Sequence, residues 1–435
     1  MSPVRFAYRG PATPLPAAAR AALFDRATMT DAAVRSRVAE QLAAVRTEGD
    51  AALQRFAAEF DGVRELTIEV PRAAWDRAAA AIDPALRRVL ERAVRNLHEV
   101  HAAFRPVTRE VTTADGVTIG RRPDPLARVG VYAPGGRAAY PSSVLMGAVP
   151  ARVAGVGEVI LCTPPGRDGR PSDVVLAAAA LAGVDRVFVV GGAGAIGAMA
   201  YGTATIPAVD RIVGPGNAYV AEAKAQVAGT VGIDSPAGPS EILIIADATA
   251  SPAVIARELV AQAEHDPVAA VVLVTDDAAL EEAVVAALEA VVSEAPRQEI
   301  VRAALAARGA IVRVGSLAEA VTFSNDWAPE HLLLVVRPEA EPALLDALRH
   351  AGTIFLGEAG SVAFGDYLTG ANHVLPTGGA ARAFSGLSTD DFVRWTTYQR
   401  ITRTAAAALA DDVGRFADAE GLPGHAAAAR AWGMV

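Results

Sequence analysis

Residues 238–266 read GPSEILIIADATASPAVIARELVAQAEHD, and the fold turns on this stretch. Gly238 and Pro239 make a turn. The run 241–246 is unbroken apolar chain bounded by acids, the pattern of a parallel strand buried on both faces. Ser251 and Pro252 suit the N-cap and first helical position of a helix. That helix is expected to bury Val254, Leu259 and Val260 and to stop at Asp266-Pro267, where proline blocks continuation. Gln262 and His265 stand three apart in its last turn and so project from one face. An amide oxygen and an imidazole so placed can be half of a metal site. The plainer reading is a histidine favoured by the dipole at a helix C-terminus.

Outward from this unit the chain alternates. Strand patterns fall at 117–122, 128–133, 158–163, 186–190 and 211–213, with helices starting near Ser142, Ser172, Ala193 and Gly216. After 241–246, further strands are expected at 269–275, 310–314, 331–336 and 353–356. Such alternation means parallel sheets covered by helices. The strands are too many for one sheet, so the predicted fold class is α/β with two Rossmann-like parallel-sheet domains. Upstream, residues 1–24 are rich in proline and alanine and read as an arm. Val34, Val38, Leu42 and Val45 recur at helical spacing within 30–60, and Asp61-Gly62 stops the pattern. Two more helices are expected at 72–81 and 84–104. From about Ser388 the strand signal vanishes and an alanine-rich helical tail follows. The expected division is an arm (1–24), one α/β domain from 25–130 with 240–387, a second from 131–239, and the tail (388–435).

The 435 residues exceed what one core usually serves, and 52% apolar with 20% charged residues is a globular composition. A net charge of −9 argues against nucleic acid as the main partner. Anionic cofactors stay possible, because backbone sites bind them locally. A single cysteine, Cys162, excludes a disulfide framework and a thiolate metal cluster. Nothing resembles a signal peptide or a membrane span, so a soluble cytoplasmic protein is expected.

Several short motifs carry chemistry. GGAGAIG (191–197) contains a formal G-x-G-x-x-G, but the acid of a dinucleotide site belongs at the far end of the next strand, and Asp210 stands at its start. A packing and turn role is expected there. GPGN (214–217) lies between a strand and a helix, where free amides and the helix dipole favour phosphate; a tight turn reads equally well. VYAPGG (131–136) ends a strand and could bring Tyr132 beside a planar ring. APEHL (328–332) sets an acid beside an imidazole. Strand neighbours face opposite ways, so Glu330 and His331 can share a site only at the strand's start, as Pro329 allows. General acid/base work suits them. GDYLTGANHVLP (365–376) reads as a polar loop that keeps Asp366 and His373. His98 and His101 have no carboxylates at matching spacing and are expected on a solvated face. Glu420 and His425 alone would pass for surface. Together the motifs suggest one zinc-type site with acid/base residues and a nucleotide pocket.

These motifs, with AEGLPGH near the C-terminus, resemble histidinol dehydrogenases from about Arg128 to His425, in the family's order. The resemblance implies a cytoplasmic homodimer that oxidises L-histidinol through L-histidinal to L-histidine, with NAD+ and one Zn2+ per subunit. It implies zinc ligands Gln262, His265, Asp366 and His425, with Glu330 and His331 as the acid/base pair. Substrate contacts would come from Ser240, Gln262, His265, His331, Asp366, Glu420 and His425, and cofactor contacts from Tyr132, Asn217 and position 194. Gly194 departs from the family's usual glutamine, so one side-chain contact to the dinucleotide would be missing. The resemblance also implies a tail swapped between subunits of a two-fold dimer. Mn2+ or Co2+ would fit the same ligands. Alternatives are a related dehydrogenase for another small alcohol, a zinc hydrolase, which has no use for GPGN, and a two-lobed binding protein, which needs no acid/base pair.

Overall fold

The computed structural model describes residues 3–26, 31–135, 139–235 and 238–434. Thr30, at the start of the first helical pattern, and Gly136, which closes VYAPGG, lie outside them. Numbered along the chain, a six-stranded sheet contains β1 (Tyr8–Pro11), β9 (Glu241–Ala246), β10 (Ala270–Thr275), β11 (Gly309–Arg313), β12 (His331–Val335) and β13 (Thr353–Leu356). Its order is β1-β11-β10-β9-β12-β13, all parallel. A five-stranded sheet contains β4 (Arg128–Tyr132), β5 (Glu158–Thr163), β6 (Arg186–Val189), β7 (Arg211–Val213) and β8 (Gly232–Ile233), in the order β6-β5-β4-β7-β8, also parallel. An antiparallel sheet, β14-β3-β2, joins β14 (Val393–Ile401), β3 (Val117–Pro125) and β2 (Arg109–Thr112).

β9 is central because both its faces are apolar. Ile242 and Ile244 pack toward helices Pro252–Ala263, Ala278–Glu294 and Gln298–Arg308, and Leu243 and Ile245 pack toward helix Leu317–Trp327. Each such side chain contributes about 1.5–3 kcal/mol on burial. Helix Pro252–Ala263 starts at Ser251 and Pro252 but stops three residues before the expected Asp266. It buries Leu259 and Val260, while Ile255 takes the core position expected for Val254.

Four expectations change. The N-terminal segment is more than an arm: β1 extends the six-stranded sheet, and helix Ala17–Phe24 buries Leu23 in its core. The tail contains β14, whose Val, Trp, Thr and Tyr residues favour a pleated surface. Residues 38–97 share their apolar core with the five-stranded sheet, unlike the 25–130 grouping expected with the six-stranded one. His98 is exposed but His101 is buried, because Leu90, Ala93, Leu97 and His101 form one helical stripe. Among the described residues no helix is long and apolar enough to cross a membrane.

Candidate active site

Helix Leu317–Trp327 ends on Ala328, whose φ of 54° is uncommon outside glycine. Pro329 follows, and the chain enters β12 with Glu330 and His331 both buried. The peptide groups of Glu241, at the start of β9, hold the pair together. The Glu241 N–H donates to Glu330 Oε2 at 2.7 Å, and the Glu241 carbonyl accepts from His331 Nδ1 at 2.9 Å. A carbonyl only accepts, so Nδ1 carries the proton and the neutral ring offers its lone pair at Nε2. His331 Nδ1 lies 3.5 Å from Glu330 Oε2, and Nε2 lies 3.8 Å from Asp366 Oδ1. Burial lowers His331 to a pKa of about 4, so the ring is neutral at physiological pH. Burial also holds Glu330 well above the usual carboxylate range.

Asp366 comes from the segment that follows β13. A helix, Val362–Tyr367, occupies the first part of what reads as a loop in sequence. His373 then donates Nδ1–H to the Asp366 carbonyl at 2.9 Å. Asn96 donates to Leu368 O at 2.6 Å and Asn372 to Met146 O at 2.8 Å, tying this loop to helices around the five-stranded sheet. This segment therefore links Asp366, beside His331 of the six-stranded sheet, to the helices around the five-stranded one. Burial, followed by the charge of Glu258, raises its pKa to about 7. Glu258 is itself buried and accepts the Val362 N–H at 3.2 Å, so it links helix Pro252–Ala263 to the helix carrying Asp366.

Gln262 is buried on helix Pro252–Ala263, four residues after Glu258. His265 stands two residues past the helix end, with its N–H bonded to Gln262 O at 3.3 Å. Its side chain is exposed. Ser240 is half-buried next to Glu241. Gln262 Nε2 and His331 Nε2 are buried polar atoms without a hydrogen-bond partner among the described residues, and such atoms call for a ligand. An amide, an imidazole and a carboxylate are donors that suit Zn2+. Among the described residues no three His, Cys, Asp or Glu side chains form a metal-holding group. Glu420 and His425 are exposed on the tail, and neither side chain has a hydrogen bond or ion pair with another described residue.

The second group of candidates gathers at the carboxyl ends of β4 and β7, where the order of the five-stranded sheet reverses. Open parallel sheets bind ligands in that crevice. Tyr132 ends β4; it is buried, and its hydroxyl accepts from the Gly192 N–H at 3.1 Å. Burial raises the phenol to a pKa of about 12, so it stays protonated. Gly214 follows β7 with φ of 116°, and a Cβ there would lie 2.1 Å from Tyr132 O. Only glycine can bring the GPGN loop this close. Asn217 caps helix Ala218–Val227, accepting from the N–H groups of Tyr219 and Val220 at 3.0 and 3.2 Å. Beneath the loop, Asp234 accepts the Gly214 N–H at 2.7 Å, Lys224 donates to Gly214 O at 3.0 Å, and the two side chains form a buried ion pair. Gly194 is buried in helix Gly192–Tyr201, facing Leu53 and Phe56.

Glu241, Glu258, Lys224 and Asp234 escaped sequence reading. Glu241 had left a signal, an acid opening a fully apolar strand, but nothing in its neighbours marks its peptide groups as the support of Glu330 and His331.

The histidinol dehydrogenase family model matches residues 24–432. A histidinol dehydrogenase of Halobacterium salinarum is 50% identical over 409 residues, covering 94% of this chain and 95% of that protein. One from Methanothermobacter thermautotrophicus is 46% identical, covering 93% and 94%. The crystal structure of histidinol dehydrogenase from Elizabethkingia anophelis superposes with a TM-score of 0.93 at 34% identity, covering 99% of each chain.

Proposed function

The chain belongs to the histidinol dehydrogenase family, a family of oxidoreductases in histidine biosynthesis, and from that premise we propose a zinc-assisted, two-step NAD-dependent oxidation of L-histidinol to L-histidine. The observation that carries this reading is the neutral His331, whose Nε2 lone pair faces Asp366 and whose Nδ1 is anchored on Glu241. Gln262, His265 and Asp366 would hold zinc from one chain, and His425 would complete the shell from a second. Tyr132 and the GPGN loop with Asn217 would bind NAD+. When bound, the metal would fix and polarise the substrate oxygen, and the nicotinamide would accept hydride. His331 Nε2 takes the alcohol proton as the first hydride leaves carbon. Water then adds to the aldehyde, with Glu330 taking its proton. A raised pKa makes the ionised Glu330 a stronger base for this step. Ser240, and Glu420 of the second chain, would hold the substrate's polar groups. A cytoplasmic location fits a reaction that draws on NAD+.

The test is purified protein with NAD+ and a panel of amino alcohols that includes L-histidinol. Two NADH per histidinol and no released aldehyde are expected. Glu330→Gln should slow the water-dependent second oxidation more than the first. Release of one aldehyde per NADH, or preference for a different alcohol, would show a related dehydrogenase with another substrate.

A further inference from the structure

Arg26 follows helix Ala17–Phe24 and is buried, as is Glu241, and the two side chains form an ion pair. Glu241 is tied down further by the Gly378 N–H, which donates to Oε1 at 3.0 Å. Arg26 also donates to the Trp327 carbonyl and stacks on the Trp327 ring, with its guanidinium carbon 3.6 Å from the centroid. The Trp327 indole N–H in turn donates to Leu23 O at 2.8 Å. Trp327 immediately precedes the left-handed Ala328, through which the chain turns to Glu330. One guanidinium therefore grips both supports of the acid/base pair: the residue whose peptide groups bind Glu330 and His331, and the residue at the root of the turn that presents them.

Stability alone does not account for such an arrangement. Two buried charges lose their hydration, and apolar replacements of similar volume are often as stable or more so. Position is what a planar, five-donor group supplies here, because it satisfies a carboxylate, a carbonyl and a ring face at once. We propose that Arg26 and Glu241 are positioning residues for the reaction, the N-terminal segment serving to fix Glu330 and His331 relative to one another. The proposal rests on the acid/base reading of those two residues. Neither Arg26 nor the Glu241 side chain is placed to touch substrate or cofactor, so the effect belongs in kcat rather than in KM.

The experiment replaces the whole pair with Arg26→Met/Glu241→Met in the full-length protein, which leaves no uncompensated charge. Melting temperature, zinc content, KM for histidinol and NAD+, and kcat are measured on the same preparation. The expected result is a folded protein with normal zinc content, both KM values within about twofold, and kcat lower by about tenfold or more, the scale of a slightly misplaced catalytic group. Arg26→Lys keeps the charge but loses the planar fork, and kcat between the two is expected. A folded double variant with kcat near that of the unmodified enzyme would overturn the proposal, as would a kcat loss equal to the loss of folded protein. Should the double variant fail to fold, Arg26→Lys decides: unchanged kcat in folded protein overturns the proposal. Glu330→Gln run in parallel separates the two levels, since full kcat in that variant would refute the acid/base reading itself.

Discussion

At Gly194 two opposing effects can be weighed. Any side chain in mid-helix gains up to about 1 kcal/mol over glycine. A Cβ at this position, however, would lie 3.1 Å from Phe56 Cδ2 and 3.4 Å from Leu53 Cδ2. Forcing atoms into such a contact costs about 1–3 kcal/mol, and an amide buried there without a partner adds to it. Gly194→Gln is therefore expected to lower stability in urea denaturation without tightening NAD+, contrary to what the missing glutamine alone suggests. Tighter NAD+ binding with unchanged stability would show that Phe56 yields and that the glutamine reaches the cofactor. His331 makes a related point. Its pKa of about 4 comes from burial first, so its being unprotonated, with Nε2 free, follows from its place at the start of β12 more than from residue type.

Among the elements, the GPGN loop is held from below. Both peptide groups flanking Gly214 depend on the Lys224–Asp234 pair, which joins helix Ala218–Val227 to the segment after β8. Lys224→Met leaves Asp234 buried without its partner, a change that typically costs about 3–5 kcal/mol. The loop would shift with it. The expected signature is a raised KM for NAD+ with little change in KM for histidinol, read by steady-state kinetics well below the melting temperature. An equal rise in both would mean that the loop does not contact the cofactor.

On the scale of the whole molecule, the tail is the unfinished part. Helices Arg403–Ala419 and Pro423–Arg430 pack on each other, while Phe416 is 71% exposed and Val413, Leu422 and Trp432 are also exposed. Together they leave an exposed apolar face on the tail. Near Asp366, Phe364 and Tyr367 are exposed too. A swapped two-fold dimer would cover these faces and bring His425 and Glu420 to the neighbour's site. Mixing inactive His331→Ala and His425→Ala chains then yields mixed dimers with one doubly damaged and one intact site. With random exchange about a quarter of normal activity should return; verified heterodimers without activity would exclude the swap. A shell shared in that way would hold about one zinc per chain. Chelation should abolish NADH production and Zn2+ should restore it, whereas full activity in protein shown by elemental analysis to be metal-free would remove zinc from the mechanism.

How much of this was legible beforehand depended on the range of the interaction. Strands β5, β7 and β9 have the bounds their apolar runs predict, because a strand buried in the sheet writes its pattern into consecutive residues. The fold class was readable for the same reason. β1 was not, since a four-residue edge strand needs only backbone bonds to β11 and leaves its side chains half exposed. β14 was missed, although its β-branched and aromatic residues favour a strand, because alanine-rich helices follow it. The support of the site lay beyond local pattern altogether. Arg26 meets Glu241 across 215 positions of chain and Glu241 meets Glu330 across 89, and such contacts exist only once β9 and β12 lie side by side. Residue types and short spacings determined which chemistry this chain could carry. Tertiary structure decided which lone pair is free, which charge is buried and what holds each in place, because those properties depend on neighbours that sequence distance does not reveal.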